Sequence, residues 1–87
     1  MTQEQYNNFV TYLESRINEA EMTLANIEDH LGHMEHKLEI HRDRCEWSSY
    51  GAALDHMQSR IRERQYWAGI LRDCRATLAE AKKHKPE

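Results

Sequence analysis

The chain has 87 residues, with 15 acidic and 12 basic side chains, a net charge of −3 and 39% hydrophobic residues. This length supports one domain at most. Three glycines and one proline are too few for a collagen-like, flexible or many-stranded β chain. We therefore expect an all-α fold in a single domain over residues 1–87.

The sequence shows no segment that would place the chain in a membrane or export it. Its apolar runs are far shorter than the ~18 residues that a membrane-spanning helix needs. The first residues have neither the basic start nor the apolar stretch of a signal peptide. We expect a cytoplasmic location without membrane association, where the two cysteines, Cys45 and Cys74, stay reduced.

The first helix is predicted over about residues 3–46 by small or apolar residues that recur at alternating spacings of four and three. This period is typical of the seam of a left-handed coiled coil. Glutamates follow one flank of the seam and mainly basic residues the other, as in helices that pair through charged edges. The seam consists of Tyr6, Val10, Leu13, Ile17, Ala20, Leu24, Ile27, Leu31, Met34 and Leu38, and continues onto His41 and Cys45.

A turn is predicted at about residues 47–51, where two serines and a glycine follow the end of the seam. The second helix is predicted over about residues 52–83, before Pro86. Its seam is less regular, and a neighbouring stripe widens its apolar surface, which indicates contact with more than one neighbour. The seam holds Leu54, Met57, Ile61, Arg64, Ala68, Leu71, Arg75 and Leu78, and the stripe holds Trp67, Ile70, Cys74 and Ala81.

The charge distribution favours an antiparallel two-helix coiled-coil hairpin over one continuous helix. Through Asp29 there are six acidic residues and one basic residue, a net −5, whereas residues 60–85 carry eight basic and three acidic residues, a net +5. A turn in the middle lays these segments side by side. Because chains of this size fold marginally alone, we further expect two hairpins to dimerise into a four-helix bundle; a hairpin packed on a different protein is the alternative.

No pattern in the chain indicates catalysis. It has neither a phosphate-binding glycine loop nor a nucleophile elbow, and a two-helix core offers little concave volume for an active site. We therefore expect a non-catalytic protein that binds another protein, as do small inhibitors and adaptors, including those of phages and other mobile elements. The candidate partner-binding residues, chosen because Trp, Tyr and Arg dominate interfaces, are Trp47, Tyr50, Arg60, Arg64, Tyr66 and Trp67.

The alternative function is ligand binding, either of a metal near the turn or of a small anionic nucleotide. His41, Cys45 and His56 could converge beneath the turn, and imidazole and thiolate suit zinc. A second histidine group, His30, His33 and His36, is spread around the helix and is read as a polar surface. A small anionic nucleotide could be held by Arg60, Arg64 and Trp67. Binding to a polynucleotide is not expected from a chain of net negative charge.

Overall fold

The computed structural model describes residues 1–86, which form two long helices that pack against each other without any strand in that range. The first helix, α1, spans Gln3–Asp43, and the second, α2, spans Trp47–Lys83. The principal extents of the pair are 66 × 14 × 14 Å, so the molecule is a narrow rod. The prediction of an all-α chain of two packed helices is confirmed.

A capping box begins α1. The backbone N–H of Gln5 donates to the hydroxyl of Thr2 at 3.1 Å, and the backbone N–H of Thr2 donates to the Gln5 side chain at 2.8 Å. These bonds satisfy backbone donors that the start of a helix otherwise leaves unpaired. The N-cap of α2 is Glu46, which makes no such side-chain bond.

The turn between the helices consists of Arg44, Cys45 and Glu46 and closes α1 in a Schellman motif. The N–H of Glu46 donates to the carbonyl of His41 at 2.9 Å, and the N–H of Cys45 donates to the carbonyl of Arg42 at 3.1 Å. Such a motif requires a left-handed residue, which is Cys45 with a φ of 55°. A residue with a Cβ atom adopts this conformation at a cost of roughly 1–2 kcal/mol.

The observed turn, at residues 44–46, comes before the predicted turn at residues 47–51. The first helix therefore ends at Asp43 and not at residue 46, and the second begins at Trp47 and not at residue 52. Residues 47–51 form the first turn of α2 and not a loop. The serines and the glycine in this segment suggested a turn. The left-handed position falls instead on Cys45, a residue type with no preference for that conformation.

The hydrophobic core comes from α1. All of its buried residues belong to the predicted seam, whereas no residue of α2, a helix described in full, is buried. The main cluster consists of Ile27, Leu31 and Met34, and Met57, Ile61 and Trp67 of α2 pack against it while remaining half-exposed. The complete buried set is Tyr6, Leu13, Ala20, Ile27, Leu31 and Met34.

The predicted seam of α2 was partly wrong. Ala68 and Arg75 are exposed, although the seam includes them, and Trp67, assigned to the neighbouring stripe, packs on the core. Turning the large Trp67 toward α1 removes more apolar area from water than turning Ala68 would. Along α2, the residues that precede or follow Trp67 at seven-residue intervals are also half-buried. The complete row is Ala53, Arg60, Trp67, Cys74 and Ala81.

The complementary charges of the two helices meet in two ion pairs. Arg75 contacts Glu21 at 2.7 Å, and Arg64 contacts Glu28 at 3.4 Å. As the residue number rises along α1, that of its partner falls along α2, which is the order of an antiparallel pair. All four side chains are more than a third exposed, so each pair contributes at most about 1 kcal/mol.

Candidate functional site

The contacts between the helices divide the rod into two sides. On one side, the guanidinium of Arg16 lies 5.8 Å from the ring centre of Trp67, and the rings of His30 and His56 meet edge to face at 5.6 Å. We call this the polar side. The ion pairs of Glu21 and Glu28 lie on the other side, because these residues flank the seam of α1 opposite to Arg16 and His30.

A pocket of about 250 Å³ opens on the polar side, close to the turn. Both helices contribute to it: the α1 residues recur along one surface of the helix, and the α2 residues are one turn apart. Its apolar wall includes Met34, which is buried in the core. The residues that line the pocket are His30, Met34, Lys37, His41, Ala53 and His56.

The polar groups of the pocket have few partners within the chain. The Nδ1 atom of His41 lies 3.5 Å from the carboxylate of Glu46, the last residue of the turn. Lys37, His30 and His56 form no ion pair within residues 1–86. One lysine and three histidines are thus among the residues that line the pocket, and no acidic residue is.

The predicted metal ligands are only partly brought together. His41 and His56 line the same pocket, whereas Cys45 is exposed in the turn and does not line it. Among residues 1–86 there is no group of three or more His, Cys, Asp or Glu side chains arranged to hold a metal ion. The second histidine group diverges, since His33 points to Asp29 and His36 is exposed.

The residues proposed to hold an anionic nucleotide each have a partner within the molecule. Arg60 pairs with Glu63 on the same helix, and Arg64 pairs with Glu28 across the helices. The ring of Trp67 is covered by Arg16. The Nε atom of Arg60 is buried, and no described residue accepts a hydrogen bond from it.

The candidate partner-binding residues lie on separate surfaces. Trp47 is 61% exposed at the start of α2 and packs edge to face on Tyr50, with ring centres 6.0 Å apart. Tyr66 is 64% exposed on the outer surface of α2, next to the half-buried Trp67. The exposed aromatic tip of the rod is thus formed by Trp47, with Tyr50 supporting it.

Sequence reasoning did not single out His30 and Lys37 as residues of the turn-proximal pocket. Each follows a buried seam residue by three positions, Ile27 and Met34 respectively, so their common surface of α1 was readable from the spacing. The residues of α2 that face His30 and Lys37 depend on the position of the turn. The serines at 48 and 49 led to a predicted turn that lies after the observed one.

The side opposite the polar side carries a continuous set of half-buried aliphatic residues, which we call the aliphatic side. Residues that are separated by whole heptads lie on the same side of a helix. Ile61 is two heptads before Arg75 and Leu71 is one heptad after Arg64, so both lie on the side of the two ion pairs. The α1 members are Val10, Ile17, Leu24 and Leu38, and the α2 members are Leu54, Ile61, Leu71 and Leu78.

Comparison of the chain with protein-family models, with curated proteins and with solved structures finds no match. Within the described residues, neither helix has an apolar stretch long enough to cross a membrane.

Proposed function

We propose that the protein is a non-catalytic interaction module, in which two hairpins pair along their aliphatic sides into a four-helix bundle that binds a partner protein. The observation that carries the proposal is the half-exposed state of α2. This helix contains no buried residue, although Leu54, Ile61 and Leu71 are as apolar as the core of α1. A second layer of helices would complete the burial of this surface.

The exposed area of the hairpin supports the pairing. The accessible surface is 6397 Å², and a compact folded monomer of 10.4 kDa exposes about 5,400 Å². The difference, about 1,000 Å², is comparable to the ~800 Å² that each partner buries in a standard stable interface. Hairpins with a twofold axis would place one aliphatic side against the other and use the same residues twice.

Sedimentation equilibrium of the full chain tests the pairing. We expect a species of twice the 10.4 kDa chain mass. Ile61→Glu would place a charge on the aliphatic side and shift the protein to monomer, because a buried unpaired carboxylate is strongly unfavourable. Met22→Glu is the matched control, since Met22 is a large apolar residue on α1 that is 60% exposed.

The result that contradicts pairing is a wild-type monomer at concentrations of hundreds of micromolar. A dimer that survives Ile61→Glu but dissociates with Met22→Glu would place the interface on a different surface. Circular dichroism of each variant shows whether the helices persist, so that loss of the dimer is separated from loss of the fold.

The aromatic tip is the surface that we propose for the partner protein. An exposed tryptophan that packs on a tyrosine resembles the aromatic residues that dominate the binding energy of protein interfaces.

Affinity purification from the source cell with the wild type and with Trp47→Ala tests the role of the aromatic tip. The matched control is Tyr12→Ala, because Tyr12 is 58% exposed against 61% for Trp47. We expect a protein that is retained by the wild type and by Tyr12→Ala and lost with Trp47→Ala; retention by all three would contradict a role for the tip.

A further inference from the structure

We propose that the pocket between the helices near the turn binds a small oxyanion, a phosphate or carboxylate group. Its lining residues include Lys37, His30, His41 and His56. Each imidazole supplies at least one N–H donor in either of its ordinary protonation states, and the ammonium supplies three. Hydrogen bonds from charged donors to an oxyanion are the strongest that side chains make.

The charge around the pocket favours an anion. No lining residue is acidic, and Lys37 makes no ion pair with any residue in 1–86. The carboxylate that does approach the lining, that of Glu46, lies 3.5 Å from an imidazole nitrogen of His41. The imidazole of His41 therefore already faces one carboxylate of the chain, with which a bound oxyanion would compete.

The size of the pocket limits the ligand. Its volume of about 250 Å³ is below the ~300–1,000 Å³ typical of sites for drug-sized molecules. Met34 and Ala53 are the apolar residues of its lining. Inorganic phosphate or a short dicarboxylate fits this combination better than a complete nucleotide does.

A metal ion is a poorer occupant of the same pocket. Zinc sites in proteins use three or four protein ligands, and no group of three ligating side chains exists within the described residues. The positive charge of Lys37, a lining residue, would also disfavour a cation in the pocket. The cross-helix pair of His30 and His56 supplies two ligands at most.

Titration with inorganic phosphate, followed by NMR of the histidine side chains at constant ionic strength, tests the proposal. We expect the signals of His30, His41 and His56 to shift together and to saturate. His33 and His36 lie outside the pocket and serve as internal controls that do not move. A parallel titration with succinate distinguishes the source of the oxyanion: the tighter ligand of the two identifies the site as one for phosphate or for carboxylate.

Two variants and one control substitution sharpen the test. Lys37→Met keeps the aliphatic stem and removes the charge, and we expect affinity to fall about tenfold or more. Lys82→Met is the matched control and should leave affinity unchanged. Glu46→Gln removes the competing carboxylate beside His41, and binding should tighten.

Any of four outcomes would overturn the oxyanion site. One is a shift that does not saturate or that chloride reproduces. Another is an equal response of His33 and His36, which would show binding spread over the surface. The third is unchanged affinity in Lys37→Met with its helices intact by circular dichroism. Tight binding of Zn²⁺ that phosphate does not weaken would assign the pocket to a cation instead.

Discussion

The two helices are similar in length but unequal in their contributions to the fold. α1 buries six residues, all at predicted seam positions, and α2 buries none. The difference arises at the contact surface of α2, where Arg60 and Arg64 occupy positions that apolar residues fill in α1. A helix with arginines in its contact row stays half-exposed, because the charged heads must reach water or an acidic partner. Consequently α1 supplies the buried core of the hairpin, and the apolar residues of α2 remain half-exposed.

The largest expected change in the free energy of unfolding tests whether the core belongs mainly to α1. Ile27→Ala, at a residue that is 1% exposed, should lower the free energy of unfolding by about 3 kcal/mol. Ile61→Ala, at a half-buried position of α2, should lower it by about 1 kcal/mol. Urea denaturation at several chain concentrations measures both.

The dependence of these two stability losses on chain concentration distinguishes an isolated hairpin from the proposed four-helix bundle. Pairing along the aliphatic side would bury Ile61 further, so the gap between the two variants should narrow as the concentration increases. Equal losses at the lowest concentration would contradict the assignment of the core to α1.

The next effect concerns Arg60, which is a polar residue in the contact row of α2. Its side chain is 23% exposed, and its Nε atom has no acceptor among the described residues. Arg60→Leu should therefore raise the free energy of unfolding by about 1 kcal/mol, because it removes an unsatisfied donor and extends the apolar seam. Arg62→Leu, on the exposed surface, should change it by less than ~0.5 kcal/mol. Destabilisation by Arg60→Leu would mean that the ion pair with Glu63 outweighs the buried donor.

The difference between the two helices also explains how much of the fold was predictable from the sequence. The seam of α1 was predictable because its 3.5-residue repeat is unbroken by charge from Tyr6 to Leu38. In α2, hydrophobicity alone favours the row that contains Ala68 over the row that contains Arg60. In the structure both rows contact α1, because Trp67 of the Arg60 row packs on the core together with Ile61 of the Ala68 row.

The pocket depends on the turn, and the turn depends on a single backbone conformation. A turn near residue 49 would place His56 opposite residues 42–43, whereas the turn at Cys45 brings it beside His30 and Met34. A shift of about four residues in the turn thus changes which side chains meet, although the helices themselves are predicted well. Residue types do not reveal that Cys45 adopts a left-handed conformation.

The joint between the helices yields a third prediction. Cys45→Gly should raise the free energy of unfolding by about 1 kcal/mol, since glycine adopts a φ of 55° without the steric cost of a Cβ atom. Cys45→Ala keeps the Cβ atom and should leave stability nearly unchanged. Thermal unfolding of both variants is the measurement. An equal gain in the two would attribute the effect to the thiol and not to the backbone.

The smallest effect concerns the ion pairs between α1 and α2. Glu21→Gln breaks the contact with Arg75, yet the two side chains are 48% and 57% exposed. The expected loss is therefore below ~0.5 kcal/mol and should diminish in high salt. Glu14→Gln is the matched control, because Glu14 lies one heptad earlier and forms no ion pair within the described residues.

The size of this loss also reports on the aliphatic side, because the ion pair of Glu21 and Arg75 crosses it. In an isolated hairpin the pair is open to water and nearly neutral in energy. If a second hairpin covers it, removing one partner leaves an uncompensated charge in the interface, and the loss becomes several kcal/mol. A loss for Glu21→Gln that grows with chain concentration, while that for Glu14→Gln stays small, would locate the second copy over this pair. A small loss at every concentration would place any interface elsewhere on the rod.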